Sequence, residues 1–198
     1  MKKFTLFFIL LIFLFVLCGC NNNENNSDSS NAERTSYSTS SPSPKKETEI
    51  STFSTKILDQ TPNRVDNIAL TCSKINEITV KNGEIFSFVD TVGEVSSTTG
   101  YKEADVLDAD GKPFKGYGGG NCQVSSTLYN AVLGIDNIEV LERHSHSKRV
   151  YYVEKDKDAA IVSGSKLDFR FKNNTGNDIK IYANSSNSEV TIKIMKLE

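Results

Sequence analysis

Apolar positions along the chain fall into three regimes. Residues 4–17 are an uncharged, strongly apolar run of 14. Residues 21–50 are almost wholly polar: Asn, Ser, Thr and Pro fill 19 of the 30 positions, and only Ala32, Tyr37 and Ile50 are apolar. From Phe53 onward, apolar residues recur with the short periods of regular structure. Val65, Ile68, Ala69, Cys72 and Ile75 make one stripe at helical spacing, which predicts a helix over residues 64–76 with Pro62 as its start signal. Val124, Leu128, Ala131, Val132 and Ile135 make the core face of a second helix running from Cys122 to Leu133. The remainder is rich in Ile, Val, Tyr and Phe. It predicts strands over 85–88, 138–141, 150–153, 159–162, 167–172, 179–183 and 190–195, punctuated by turns at Asn82-Gly83, Asp110-Gly111 and residues 173–177. Two helices among strands that do not alternate with them predict a single α+β domain, mostly antiparallel.

The apolar run at the start reads as an address. Lys2 and Lys3 precede it, and Leu17-Cys18-Gly19-Cys20 closes it. A basic start, a short apolar core and a small residue before a cut make a secretory signal, too short for a comfortable membrane span. The ending resembles a bacterial lipobox with Cys20 as the lipidated residue, so residues 1–19 are expected to be a lipoprotein signal peptide. Residues 20–52 then form a solvated, lipid-anchored tether, because such a composition cannot bury enough surface to offset its ordering entropy. Residues 53–198 form the domain. The expected localisation is extracytoplasmic, lipid-anchored to the outer face of a bacterial cell membrane.

Charge narrows the partners. With 23 Lys and Arg against 25 Asp and Glu the chain is near neutral, and removal of the signal leaves 21 basic residues. No basic excess supports a nucleic-acid partner. The mature chain would keep Cys72 and Cys122 as its thiols, and only His144 and His146 supply imidazole.

The candidate chemistry gathers around Cys122. Gly118-Gly119-Gly120-Asn121 leads into it, and three glycines permit close backbone approaches. Cys122 falls in the first turn of the predicted helix, where unsatisfied N–H groups and the helix dipole favour a thiolate. Ser125, Ser126 and Tyr129 share its face, which reads as polar and separate from the core stripe. Cys72, on the core stripe, reads as a buried small side chain that does not pair with Cys122. In an extended segment His144 and His146 project to one face, and either can serve as base for Cys122. Asp158, Asp168 or Glu142 can orient that histidine. Cys122, His144 and His146 also suggest a zinc site, but zinc usually shows more ligands at tighter spacing. No metal or other cofactor is therefore expected. Arg143, Lys148 and Arg149 make a basic patch suited to carboxylates of a wall polymer. Candidate binding residues are Gly118, Gly119, Gly120, Gln123, Ser125, Ser126 and that patch; candidate catalytic residues are Cys122, His144, His146 and Asp158.

Five ordered blocks resemble the VanW family of bacterial extracytoplasmic proteins. The most specific runs from Gly118 through Cys122 and Gln123 to Ala131. The others are Gly83-Glu84-Ile85-Phe86-Ser87-Phe88, Gly100-Tyr101-Lys102-Glu103-Ala104, the stretch from Glu142 to Ser147, and Asp158-Ala159-Ala160-Ile161 with Phe169 to Gly176. The family often has Pro-Gly-Glu at 82–84 and Asp-Ala-Thr-Val at 158–161; neither departure touches Cys122 or the histidines. The resemblance implies a role at the cell envelope, with peptidoglycan or its precursors as partner, and leaves the reaction open. Three readings remain: a cysteine-dependent hydrolase or acyl transferase acting on peptidoglycan peptides, a non-catalytic peptidoglycan or precursor binding module, and a structural scaffold in which Cys122 merely packs.

The anchor has a direct test. Cys20→Ala should abolish lipid attachment and leave an unprocessed or shed protein. Metabolic labelling with a palmitate analogue that still marks the variant would contradict the reading.

Overall fold

Strand pairing begins earlier than composition suggests. The computed structural model describes residues 46–108, 110–164 and 167–198; the leader, Cys20 and the tether up to residue 45 lie outside the described residues. The first strand, β1, covers Glu47–Lys56, so residues 47–52, read from composition as tether, are part of the fold. Their Ser and Thr content suits an edge strand, which needs little apolar surface of its own. β1 lies antiparallel to the last strand, β9 (Glu189–Leu197), from Glu47 opposite Leu197 to Lys56 opposite Glu189, with one register irregularity near Ile50.

β9 pairs with β8 (Asp178–Ser185), and β8 with the short β2 (Ile78–Val80), giving an antiparallel sheet ordered β1-β9-β8-β2. Alternation sets its faces. Ile179, Ile181 and Ala183 on β8, and Val190, Ile192 and Ile194 on β9, all turn to the core. Two helices cover that face: α1 (Pro62–Ile75) and α3 (Asn121–Leu133). A second sheet, ordered β3-β7-β6, joins β3 (Ile85–Ser87), β7 (Arg170–Asn173) and β6 (Ile138–Glu142). Phe86, Phe169 and Phe171 pack it into the same core. β4 (Glu103–Leu107) and β5 (Pro113–Tyr117) make a separate hairpin over the Asp110-Gly111 turn. The described residues thus form a mixed α+β fold with antiparallel sheets. No helix among them is long and apolar enough to cross a membrane.

Two local expectations change. The strand at 85–88 stops at Ser87, because the Ser87 hydroxyl accepts the Asp90 N–H and starts a short helix, α2 (Phe88–Val92). Residues 150–153 and 159–162 form no ladder; the only pairing there is an isolated bridge between His144 and Ala160. Side chains of α3 hold the stretch at Lys157 and Ala159 instead. Ser125 Oγ donates to Ala159 O (2.5 Å), Ala159 N–H donates to Ser126 Oγ (2.8 Å), and Asn130 Nδ2 donates to Lys157 O (2.7 Å). An apolar-rich segment becomes an irregular strap when hydroxyls replace a neighbouring strand.

The start of α3 is fixed by close packing. Gly120, its N-cap, sits at φ 107°, and a Cβ there would stand 2.5 Å from Ile68 Cγ1 on α1. A Cβ on Gly119 would stand 2.8 Å from both Ala104 Cβ and Asp105 O. Gly120→Ala should therefore destabilise the fold by about 2–4 kcal/mol, combining left-handed strain with overpacking. Gly134→Ala, at φ −86° in open space after the same helix, should stay within about 0.5 kcal/mol of the wild type. Urea titrations compare the two; equal losses would contradict the packing account.

Candidate active site

Asn121, the first residue of α3, is buried and anchored from α1. Its Oδ1 lies 2.7 Å from the Thr71 hydroxyl, which also accepts from Tyr101 OH at 3.0 Å. This anchor and the glycine packing leave Cys122 on the wall of a cavity of about 490 Å³. The Cys122 thiol donates weakly to the O of Ile161, another lining residue, at 3.5 Å.

The strap 157–161 brings Asp158, which holds His146 from the preceding loop. Asp158 Oδ2 accepts the His146 backbone N–H at 2.7 Å and His146 Nδ1–H at 2.6 Å. One carboxylate oxygen thus fixes both the loop and the ring, through Nδ1 and not Nε2. Burial works against the His146 imidazolium, but the hydrogen bond and charge of Cys122, then those of Asp158, outweigh it and raise the histidine's pKa. Asp158 is held below the ordinary carboxylate range: burial opposes this, and the His146 backbone and ring N–H bonds prevail. Both side chains are close to buried, at 12% and 9% exposure, so the contact is poorly screened. Cys122 and His146 thus line one cavity, and Asp158 fixes the ring through Nδ1. Of the first-turn amides, those of Asn121, Gln123 and Val124 bond to Gly118 O and Gly120 O. The Cys122 N–H is the remaining donor at that end of the helix.

A family model described as VanW like protein matches residues 63–195, a span that contains all three side chains. The chain belongs to the VanW family. It is similar to a Bacillus subtilis (strain 168) protein named Uncharacterized protein YoaR, 36% identical over 135 residues that make up 68% of this chain and 44% of the relative. It is also similar to the Vancomycin B-type resistance protein VanW of Enterococcus faecalis (strain ATCC 700802 / V583), 27% identical over 133 residues, 65% of this chain and 47% of the relative. The chain thus spans less than half the length of these curated relatives. No solved structure matches it.

The other candidate residues of this VanW-family chain separate. Gly118, Gly119, Gly120 and Gln123 line the cavity. Gln123 is nevertheless almost fully buried and committed: its Nε2 donates to Thr55 Oγ1 and Lys56 O. Ser125 and Ser126, expected on an open polar face, are fully buried beneath the strap. They hold Ala159 and do not meet a ligand directly. His144 lies off the cavity and bonds Glu142 Oε1 at 2.9 Å. Asp168 is occupied at α2, accepting Ser87 Oγ–H and Val89 N–H. Cys122, His144 and His146 do not converge, and among the described residues no three metal-ligating side chains gather.

The basic patch is also dispersed. The Arg143 guanidinium stacks 5.2 Å over Tyr129 and donates to Ser145 Oγ and Asp156 O. Lys148 lays its stem on Gly111, and Arg149 sits over Tyr151. None of the three lines the cavity. Two side chains absent from the sequence reading do: Arg64 from α1 and Tyr152 from the loop before the strap. Burial raises the Tyr152 phenol, and the neighbouring Cys122 adds to the effect, so the ring stays protonated.

The two thiols are free and unlike. Cys72 is buried in the core, and burial pushes its thiol up to about 12 despite a hydrogen bond with Ser185. It is inert at neutral pH, where thiolate is the reacting form.

Proposed function

We propose that this protein is a cell-envelope lipoprotein whose cavity performs cysteine-dependent hydrolysis or acyl transfer on peptidoglycan peptides. Membership of the VanW family supports the envelope context, as does the resistance named for its Enterococcus relative. The lipobox-like leader supports an outer-face anchor at Cys20. The chemistry rests on one observation: His146, clamped by Asp158 through Nδ1, lines the same cavity as Cys122.

From that geometry the steps follow. Cys122 gives its proton to His146 and attacks a peptide carbonyl, forming a C–S bond. The Cys122 N–H, at the positive end of α3, faces the developing oxyanion. His146 returns the proton to the departing amine as the C–N bond breaks, leaving a thioester. Water or an acceptor amine then attacks the thioester, again losing a proton to His146, and the thiol is regenerated. Asp158 keeps the imidazole in the required tautomer and favours its charged form.

Incubating the protein with peptidoglycan stem peptides and measuring intact mass should reveal a thioester adduct on Cys122. Cys122→Ala should abolish both adduct and turnover, and His146→Ala should slow turnover by about 10²–10⁴. His144→Ala should leave it near wild type. Turnover retained in Cys122→Ala would refute the nucleophile. Peptide binding without adduct or turnover, equal in wild type and Cys122→Ala, would establish the binding-module reading instead.

A further inference from the structure

Among the described residues Arg64 is the one guanidinium on the cavity wall, and its surroundings hold it without using it up. Its side chain is 13% exposed. Nη2 donates to Gln123 Oε1 at 2.8 Å, Nη1 reaches Asp59 O at 3.4 Å, and Nε lies 3.8 Å from Asp59 Oδ2. Gln123 is itself locked to Thr55 and Lys56, so the planar fork is braced from behind. A guanidinium carries five N–H donors, and only the bond to Gln123 is short. Asp59 is half exposed and distant, which makes it a weak counter-ion in water. Asp105, the acid on the cavity wall, is paired with Lys115 at 2.8 Å, and Asp158 with His146.

The cavity therefore holds a pre-positioned fork beside Cys122. Burial holds the guanidinium below its ordinary value, only partly offset by Asp59; Arg64, Cys122 and Tyr152 line the same cavity. An arginine braced in one plane with spare donors suits a carboxylate, which it can meet with two parallel bonds. Resting on the cysteine-enzyme reading above, we infer that Arg64 binds a free carboxylate of the substrate and selects acyl substrates that carry one close to the bond attacked at Cys122.

Two alkylating reagents of nearly equal size separate this role from a merely structural brace. Iodoacetate and iodoacetamide each form a C–S bond with the thiolate and expel iodide, and they differ only in the carboxylate. Rates are followed on the full native chain at pH 7, peptide by peptide, and expressed as the iodoacetate to iodoacetamide ratio against neutral N-acetylcysteinamide. For Cys122 the ratio should exceed the reference by about tenfold, the worth of one charge-assisted hydrogen bond. Arg64→Gln should remove most of that preference; losing a cation near Cys122 slows both reagents alike, and the ratio cancels that loss. Arg64→Lys should keep part of it through charge alone.

An unchanged ratio in Arg64→Gln, with Cys122 still labelled faster than Cys72, would overturn the carboxylate role and leave the nucleophile standing. Labelling of Cys122 no faster than Cys72 in the wild type would overturn the enzyme reading and this inference with it. If Arg64→Gln loses native labelling by both reagents, protection of the wild type decides. N-acetylglycine should protect Cys122 from iodoacetamide at about tenfold lower concentration than N-acetylglycinamide, and equal protection would overturn the role.

Discussion

Two serine hydroxyls on one helix decide whether Cys122 has partners. Ser126 Oγ donates to the Cys122 carbonyl at 2.6 Å and accepts the Ala159 N–H at 2.8 Å, while Ser125 Oγ holds the Ala159 carbonyl at 2.5 Å. The residue they grip is next to Asp158, and Asp158 grips His146 through both backbone and ring. The turn that carries Cys122 and the strap that carries Asp158 are thus tied through the same pair of atoms. These hydroxyls are fully buried, and a buried polar group left without its partner costs about 1–3 kcal/mol. Displacing the strap would strand several such groups together, so the arrangement is held as a unit.

A second polar system locks the other side. Thr71, Tyr101 and Asn121 form a buried chain between α1 and the start of α3. Asn67 closes against Lys102 through two bonds, its Nδ2 to Lys102 O and the Lys102 N–H to its Oδ1. The face α1 turns to α3 and the glycine loop is therefore partly polar, although α1 also feeds Ile68, Cys72 and Ile75 into the main core. The core beneath, from Ile179 and Ile192 on the large sheet to Phe169 and Phe171 on the small one, supplies the area that drives folding. The polar layer above it specifies where the cavity walls stand.

That division explains what the sequence made legible. Helix and strand periodicity exposes apolar contacts, so α1, α3, β8 and β9 could be read from spacing, and the glycines beside Cys122 marked the cavity floor. The three-residue β2 is too short to show a period. Residues 150–153 and 159–162 read as two strands because Val150, Val153, Ile161 and Val162 look β-forming, while the hydroxyls that hold Ala159 lie 33 or more residues away. Likewise, His144 and His146 are equivalent on an extended segment; only Glu142 on one side and Asp158 on the other distinguish them. Arg64 carried no local signal, since its place depends on Gln123, 59 residues on. The Arg143, Lys148 and Arg149 cluster did carry one, yet stacking on Tyr129 and Tyr151 and packing on Gly111 direct those side chains elsewhere.

The account depends on Cys122 and His146 sensing each other. Histidine side-chain NMR across a pH titration reads this in the native protein. Cys122 raises the His146 pKa through a hydrogen bond and charge, so Cys122→Ala should lower the His146 midpoint while its Nδ1–H signal, held by Asp158, persists. A His146 midpoint that does not move when the thiol is removed would contradict the coupling, and the cysteine-based chemistry with it.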